Sequence, residues 1–246
     1  MSGPALAPAI AGWYGKLPAL GDFASRRLPQ PFIDQWDAWL QRGLAASRAS
    51  LQERWEQVYL NGPLWNFALL NGACGERAWA GAVMPSVDKV GRHFPLTIAL
   101  ELAPAPSLLA NLLAAHSWFA AIDEVALACL DVNVAPEQLE QQLAQHPFPS
   151  HLVPPQGAMA ALGHWWTGND DAPIALALAA GETLHGVFTG AALDRLARSG
   201  GARSIWWTAP APNARTLLLA FPGMPNEVDF ALLLEGAAAY EPATRQ

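Results

Sequence analysis

Residues 64–102 read LWNFALLNGACGERAWAGAVMPSVDKVGRHFPLTIALEL, and three apolar runs of strand length stand out in them: Leu64 to Leu70, Ala78 to Met84 and Phe94 to Leu102. Gly, Asn, Asp and Pro separate the runs, as turns between successive strands require. The runs are nearly continuous in hydrophobicity instead of alternating, which is the mark of a strand covered on both faces. Helices on either side must therefore supply two covers, and an α/β layered domain follows.

Working outward toward the N-terminus, Phe32, Ile33, Trp36, Trp39, Leu40 and Leu44 recur at three and four residues. That period predicts a helix from about Pro31 to Ser47, with proline at a first-turn position where its missing N–H costs nothing. Ser50 and Glu53 have capping-box spacing, and Leu51, Trp55, Val58 and Tyr59 line one face of a second helix that Asn61-Gly62-Pro63 stops. Trp13 to Leu17 reads as a short first strand closed by Pro18, with a turn at Gly21-Asp22. On the other side, Ser107 to about Leu130 and Pro136 to Gln145 read as helices, and His146 to Pro173, rich in Pro and Gly, reads as a long loop. Ala191 to Arg198 is then helical, Ser204 to Thr208 and Thr216 to Phe221 are strands, and Glu227 to Leu234 is a last helix. There is no internal repeat, so the chain is expected to be one domain over residues 1–246, with strands contributed from both ends.

Composition narrows the function. The chain has 246 residues, 52% hydrophobic and 14% charged, with eleven tryptophans and a net charge of −7. An acidic chain is a poor general nucleic-acid binder. The charge is uneven, because residues 1–100 carry nine Lys/Arg against seven Asp/Glu while residues 101–246 carry five against fourteen. An anionic partner would meet the N-terminal part. Cys74 and Cys129 have no CxxC spacing, which suits a reducing compartment while leaving a disulfide between them open. Met1 to Gly12 lacks the basic and apolar regions of a secretory signal. Ala103 to Ile122 has no acidic or basic residue apart from His116, but its prolines, Asn111 and serines, and the one-face spacing of its leucines, predict a buried amphipathic helix and not a membrane span.

Catalytic motifs are incomplete. Gly15-Lys16 lacks the earlier glycine and the following Ser or Thr of a phosphate-binding loop. Ser86 and Lys89 have the spacing of a serine nucleophile and its lysine, yet Gly91 interrupts the helix that such a pair needs. His146 and His151 are split by prolines and the other histidines stand alone, so no metal site is expected, and Asp170-Asp171 would need distant ligands. What remains is a dense polar set in two turns: Lys16, Asp22, Arg26 and Arg27 in the first, and Ser86, Asp88, Lys89 and Arg92 in the second. If the first strand lies beside the loop after Met84, these side chains share a rim. They could then grip an acidic partner segment through arginine forks, or form internal pairs such as Asp22 with Arg92 or Asp88 with Arg26. Trp165 and Trp166 could likewise anchor an interface, although a core place is the default for tryptophan.

Several ordered blocks resemble the TagF (ImpM) family associated with type VI secretion. These are Gly12-Trp13-Tyr14-Gly15-Lys16-Leu17-Pro18, Gly21-Asp22-Phe23, Arg26-Arg27-Leu28-Pro29, Trp36-Asp37-Ala38-Trp39-Leu40, Trp65-Asn66-Phe67-Ala68-Leu69 and Trp79-Ala80-Gly81. The match is densest from Met84 to Arg92, followed by Phe94-Pro95-Leu96, and weaker similarity appears over residues 203–225. Gln30-Pro31 departs from the capping Ser or Thr expected at the first helix start. The resemblance implies a single-domain three-layer α/β/α sandwich with a mixed central sheet. It also implies a cytoplasmic, non-enzymatic protein that represses a contractile secretion apparatus after translation by binding its forkhead-associated scaffold protein, with no cofactor. The rim of Lys16, Asp22, Arg26, Arg27, Ser86, Asp88 and Arg92 is the candidate contact. The rival expectations are a sensor in which Lys16 and Arg92 hold a small anion or nucleotide, and a hydrolase built on Ser86.

Overall fold

The computed structural model describes residues 9–102, 112, 114–149, 157–167, 173–178, 183–199, 201–209 and 216–236. In chain order a hairpin of β1 (Gly12–Gly15) and β2 (Ala24–Arg26) precedes α1 (Gln30–Leu51), which passes through a 3-10 turn at Gln52–Arg54 into α2 (Trp55–Leu60). Then come β3 (Trp65–Leu69), β4 (Ala78–Met84) and β5 (Leu96–Leu102), and the helices α3 (His116–Ala128) and α4 (Pro136–Gln145). The chain continues with α5 (Gly157–Thr167), α6 (Leu184–Ser199), β6 (Arg203–Thr208), β7 (Leu218–Pro222) and α7 (Glu227–Glu235).

The strands form one seven-stranded sheet in the order β2-β1-β5-β4-β3-β6-β7. It is an α/β single domain, but each described pairing is antiparallel, which corrects the expectation of a mixed sheet. The reason is that β3, β4 and β5 are joined by loops too short to hold the crossover helix that a parallel pair needs.

Side-chain size is partitioned across this sheet. β4 presents Ala78, Ala80, Ala82 and Met84 to one face and Trp79 and Val83 to the other, while β3 sends Trp65, Phe67 and Leu69 to that second face. On the first face the alanines let α3 lie close, and Trp118, Phe119, Ile122 and Leu139 fill the layer beneath α3 and α4. The second face is an aromatic layer in which Trp36 stacks with Phe32 and Trp206 and lies tilted against Phe67 under α1 and α7. The indole N–H groups of Trp36, Trp39 and Trp65 donate to Thr97 Oγ1, Pro225 O and Leu233 O at 2.8, 2.7 and 2.9 Å, so this layer is apolar in bulk yet satisfied in its donors. Cys74 lies in one core and Cys129 in the other, both as free thiols, which closes the question of a disulfide between them.

The helix starts differ from expectation. α1 runs to Leu51, so Ser50 is inside a helix and caps nothing, and its N-cap is Pro29 without a side-chain bond. The stretch read as a loop from His146 to Pro173 contains α5, and α6 begins at Leu184, ahead of the predicted Ala191. Residues 103–111, His151 and Asp170-Asp171 lie outside the described residues, as does the side chain of Trp166. Trp165 is half-buried on α5. Among the described residues no helix is long and apolar enough to cross a membrane.

Candidate functional site

β1, β4 and β5 bring two loops to one end of the sheet, residues 16–23 after β1 and residues 85–95 between β4 and β5. Gly15 ends β1 with φ +134°, where a Cβ would sit 2.1 Å from Pro95 O, so only glycine lets the first loop leave this close to the second. The second loop is a tightened hairpin. Val87 bridges His93, Asp88 N donates to Arg92 O at 3.1 Å, and Gly91, at φ +83°, donates to Asp88 O at 2.9 Å.

Asp88 organises this end. Its Oδ1 accepts the backbone N–H of Val90 (3.1 Å) and Arg92 (2.8 Å), the Asx arrangement that closes such turns. Its Oδ2 takes Lys16 Nζ at 3.0 Å and Arg92 Nε at 2.6 Å. Burial alone would push the Asp88 carboxyl up. The hydrogen bonds from Arg92 N, Lys16, the Arg92 guanidinium and Val90 N outweigh it and hold the group well below the usual carboxylate range. Asp88 and Lys16 are both buried, so the pair is internal and fully hydrogen-bonded on the carboxylate side.

Three further bonds bolt the loops together. Lys89 N donates to Leu20 O at 2.9 Å, Arg92 Nη2 donates to Gly21 O, and Ser86 Oγ donates to Lys16 O at 2.8 Å. From α2, Tyr59 OH donates to Ser86 O at 2.9 Å and accepts from Ser86 N at 3.1 Å; burial raises its pKa, so it stays the neutral phenol this needs. His93 packs edge-on to the Trp55 and Tyr59 rings, and burial lowers its pKa against the pull of Glu56 at 3.6 Å.

The seven predicted residues divide. Lys16, Ser86, Asp88 and Arg92 come together, with Lys89 at the hairpin tip. Asp22 is exposed in the neighbouring turn, where its Oδ1 accepts the N–H of Phe23 at 2.8 Å. Arg26 is exposed on β2 and donates to Ser25 O. Arg27 leaves the rim: at φ +61° its guanidinium reaches Ala11 O and Glu140 of α4, which also accepts from Trp13 Nε1 at 2.5 Å. The internal pairs are thus Lys16–Asp88 and Arg92–Asp88, in place of Asp22–Arg92 and Asp88–Arg26. Sequence reasoning also missed the apolar part of the site. Val90 is 71% exposed at the tip and Phe23 is 46% exposed, packed against Tyr14 and Phe94 with Lys16 Nζ 4.9 Å from its ring. The signal was present in the valine between Lys89 and Gly91, where turns ordinarily carry polar residues.

Chemically this end holds no poised nucleophile. Ser86 is buried in a hairpin loop with its hydroxyl proton on Lys16 O, and Lys89 is on the exposed tip, not one helical turn away. Among the described residues no group of three or more His, Cys, Asp or Glu is arranged to hold a metal. A cleft of about 520 Å³ is at the opposite end of the strands, lined by Phe32, Gln35, Cys74 and Trp79 and by the ion-paired Arg77 and Glu101.

The profile of the TagF N-terminal domain, type VI secretion system-associated, matches residues 12–146. A crystal structure of PA0076 from Pseudomonas aeruginosa PAO1 is similar at 34% sequence identity and a TM-score of 0.69, over 91% of this chain and 93% of that one. No curated protein sequence matches the chain.

Proposed function

The chain belongs to the TagF N-terminal-domain family associated with type VI secretion, and from that premise we propose that it is a non-enzymatic negative regulator of such a system. It acts in the cytoplasm, after translation, by binding a component such as the forkhead-associated scaffold protein. The observation that carries this reading is the division of labour at the loop end: the reactive-looking groups Lys16, Ser86 and Asp88 are buried and mutually bonded, while Lys89, Val90, Arg92 and Phe23 face outward. A catalytic centre needs the reverse, a reactive group open to substrate. A binding surface needs a rigid base beneath exposed contacts.

The alternative of a small-anion sensor gains no support, because Lys16 and Arg92 already face the Asp88 carboxylate. The test is a pull-down with the purified chain against the forkhead-associated scaffold of its own secretion system, together with secretion measured in cells that overproduce the chain. Binding with loss of secretion is the expected result. A folded chain that neither binds the scaffold nor lowers secretion overturns the reading.

A further inference from the structure

Within that binding reading, on which this step rests, we infer that the docking surface is the hairpin tip of Lys89 and Val90 with Arg92 and Phe23 beside it, and that the partner offers an apolar recess edged by carboxylates. Lys16, Ser86 and Asp88 are positioning residues and do not touch the partner.

Rigidity is the first argument. An exposed valine at the centre of a mobile loop would lose entropy on docking, but this turn is closed by Asp88 Oδ1, tied to the first loop through Leu20 O and Gly21 O, and braced from α2 by Tyr59. Little ordering is left for the bound state, and preorganisation of this kind is what turns contact area into affinity. The second argument is charge. The exposed charged groups of the tip and the turn beside it are Lys89 and Arg92, whose Nη1 has no partner among the described residues, against the single carboxylate of Asp22, whereas residues 101–246 carry five basic against fourteen acidic residues. A cationic tip on an anionic chain is matched by an acidic surface, and it disfavours a tip-to-tip contact between two copies. Third, Phe23 stacks at 6.1 Å on Tyr14 and packs edge-on against Phe94 at 4.7 Å, so the apolar patch continues from Val90's loop on a fixed aromatic base.

The experiment is titration calorimetry of the purified scaffold protein against the wild-type chain and three variants: Val90→Asp, Lys89→Glu and, as control, Leu218→Asp. Leu218 is 71% exposed, as Val90 is, but lies on β7 at the far edge of the sheet. All three positions are exposed, and thermal melting checks that each variant folds. Val90→Asp is expected to weaken binding about tenfold or more, as for the centre of a contact. Lys89→Glu should weaken it less and flatten its dependence on salt, and Leu218→Asp should leave it unchanged. Tip variants that bind as tightly as wild type overturn the inference and leave the binding reading intact, as does an equal loss with Leu218→Asp. Wild type that does not bind at all overturns both. If sedimentation shows that Val90→Asp abolishes self-association while the scaffold still binds, the tip is a contact between copies and the acidic partner is wrong.

Discussion

Asp123 of α3 is buried against the sheet, and its replacement by asparagine should stabilise the protein near neutral pH. The Asp123 carboxyl accepts from Asn66 Nδ2 of β3 at 3.0 Å through Oδ2, yet its Oδ1 and Asn66 Oδ1 are both buried without a hydrogen-bond partner. A protonated carboxyl has the one donor that could serve the asparagine oxygen, and an amide at position 123 carries the same donor permanently. Burial raises the Asp123 pKa from 3.8 to about 6, with the Asn66 bond opposing. The folded state therefore holds its proton to higher pH than the unfolded state. The neutral form's advantage is fully present below the unfolded value, declines through the window from 3.8 to about 6, and is gone above it. At about 1.4 kcal/mol for each pH unit of that window, ionisation costs about 3 kcal/mol, and relaxation of the surroundings around the charged form trims this to about 2 kcal/mol. Urea unfolding of wild type and Asp123→Asn at about pH 4 and about pH 7.5 should give nearly equal stabilities at the lower pH and a variant more stable by about 2 kcal/mol at the higher. A difference that does not change with pH, or a variant less stable at both, would refute the argument that desolvation of this carboxylate is the dominant cost.

Asp88→Asn keeps the size of the hub but removes its charge, so amide protons of residues 16–23 and 86–94 should exchange faster, with sheet strands β3 and β4 little changed. Because the Asp88 carboxyl is held below the usual carboxylate range, its contribution is present above the ordinary value and is lost only as pH falls through its low folded value. The gap between wild type and Asp88→Asn should therefore persist from neutral into mildly acidic solution. Gly43→Ala sets helix propensity, worth about 1 kcal/mol, against a Cβ placed 2.3 Å from the Phe230 ring of α7. The ring is wedged against Trp39, so the net effect on melting temperature should be a decrease. Burial pushes the Cys74 thiol up to about 12 and the Cys129 thiol up to about 11, so neither should react with a disulfide reagent until the chain is unfolded by denaturant.

The middle of the sheet was readable because β3, β4 and β5 are buried on both faces, and uninterrupted apolar runs are the direct trace of that burial. β2 was not readable: half-buried Ala24 and Ser25 and exposed Arg26 form a short edge strand with no pattern of its own, and they pair only because β1 lies alongside. α5 was hidden for another reason. The prolines and glycines that surround it look like loop composition, and its helix is held by α6 through a close approach in which Gly190 meets Met159, a fact of packing with no local period.

The rim shows where such reading stops. Clustering of Lys16, Asp22, Arg26, Arg27, Asp88 and Arg92 in two turns says that charges will meet, but not which charge takes which partner. That choice was settled by depth. Asp88 sits in the inner crook of the hairpin, where an ionised carboxylate without donors would be costly, so it gathers two backbone N–H groups, Lys16 and Arg92. Arg26 and Asp22 stand at the solvent edge, where a single exposed ion pair gains little, so nothing compels them to pair. Arg27 was drawn away from the rim because Glu140 and the Ala11 carbonyl offer its fork three acceptors across a sequence distance that no local rule spans. The same inequality of depth assigns the roles: charges deep enough to need partners become the frame, and the residues left outside it, Lys89, Val90 and Phe23, are those still available to another molecule.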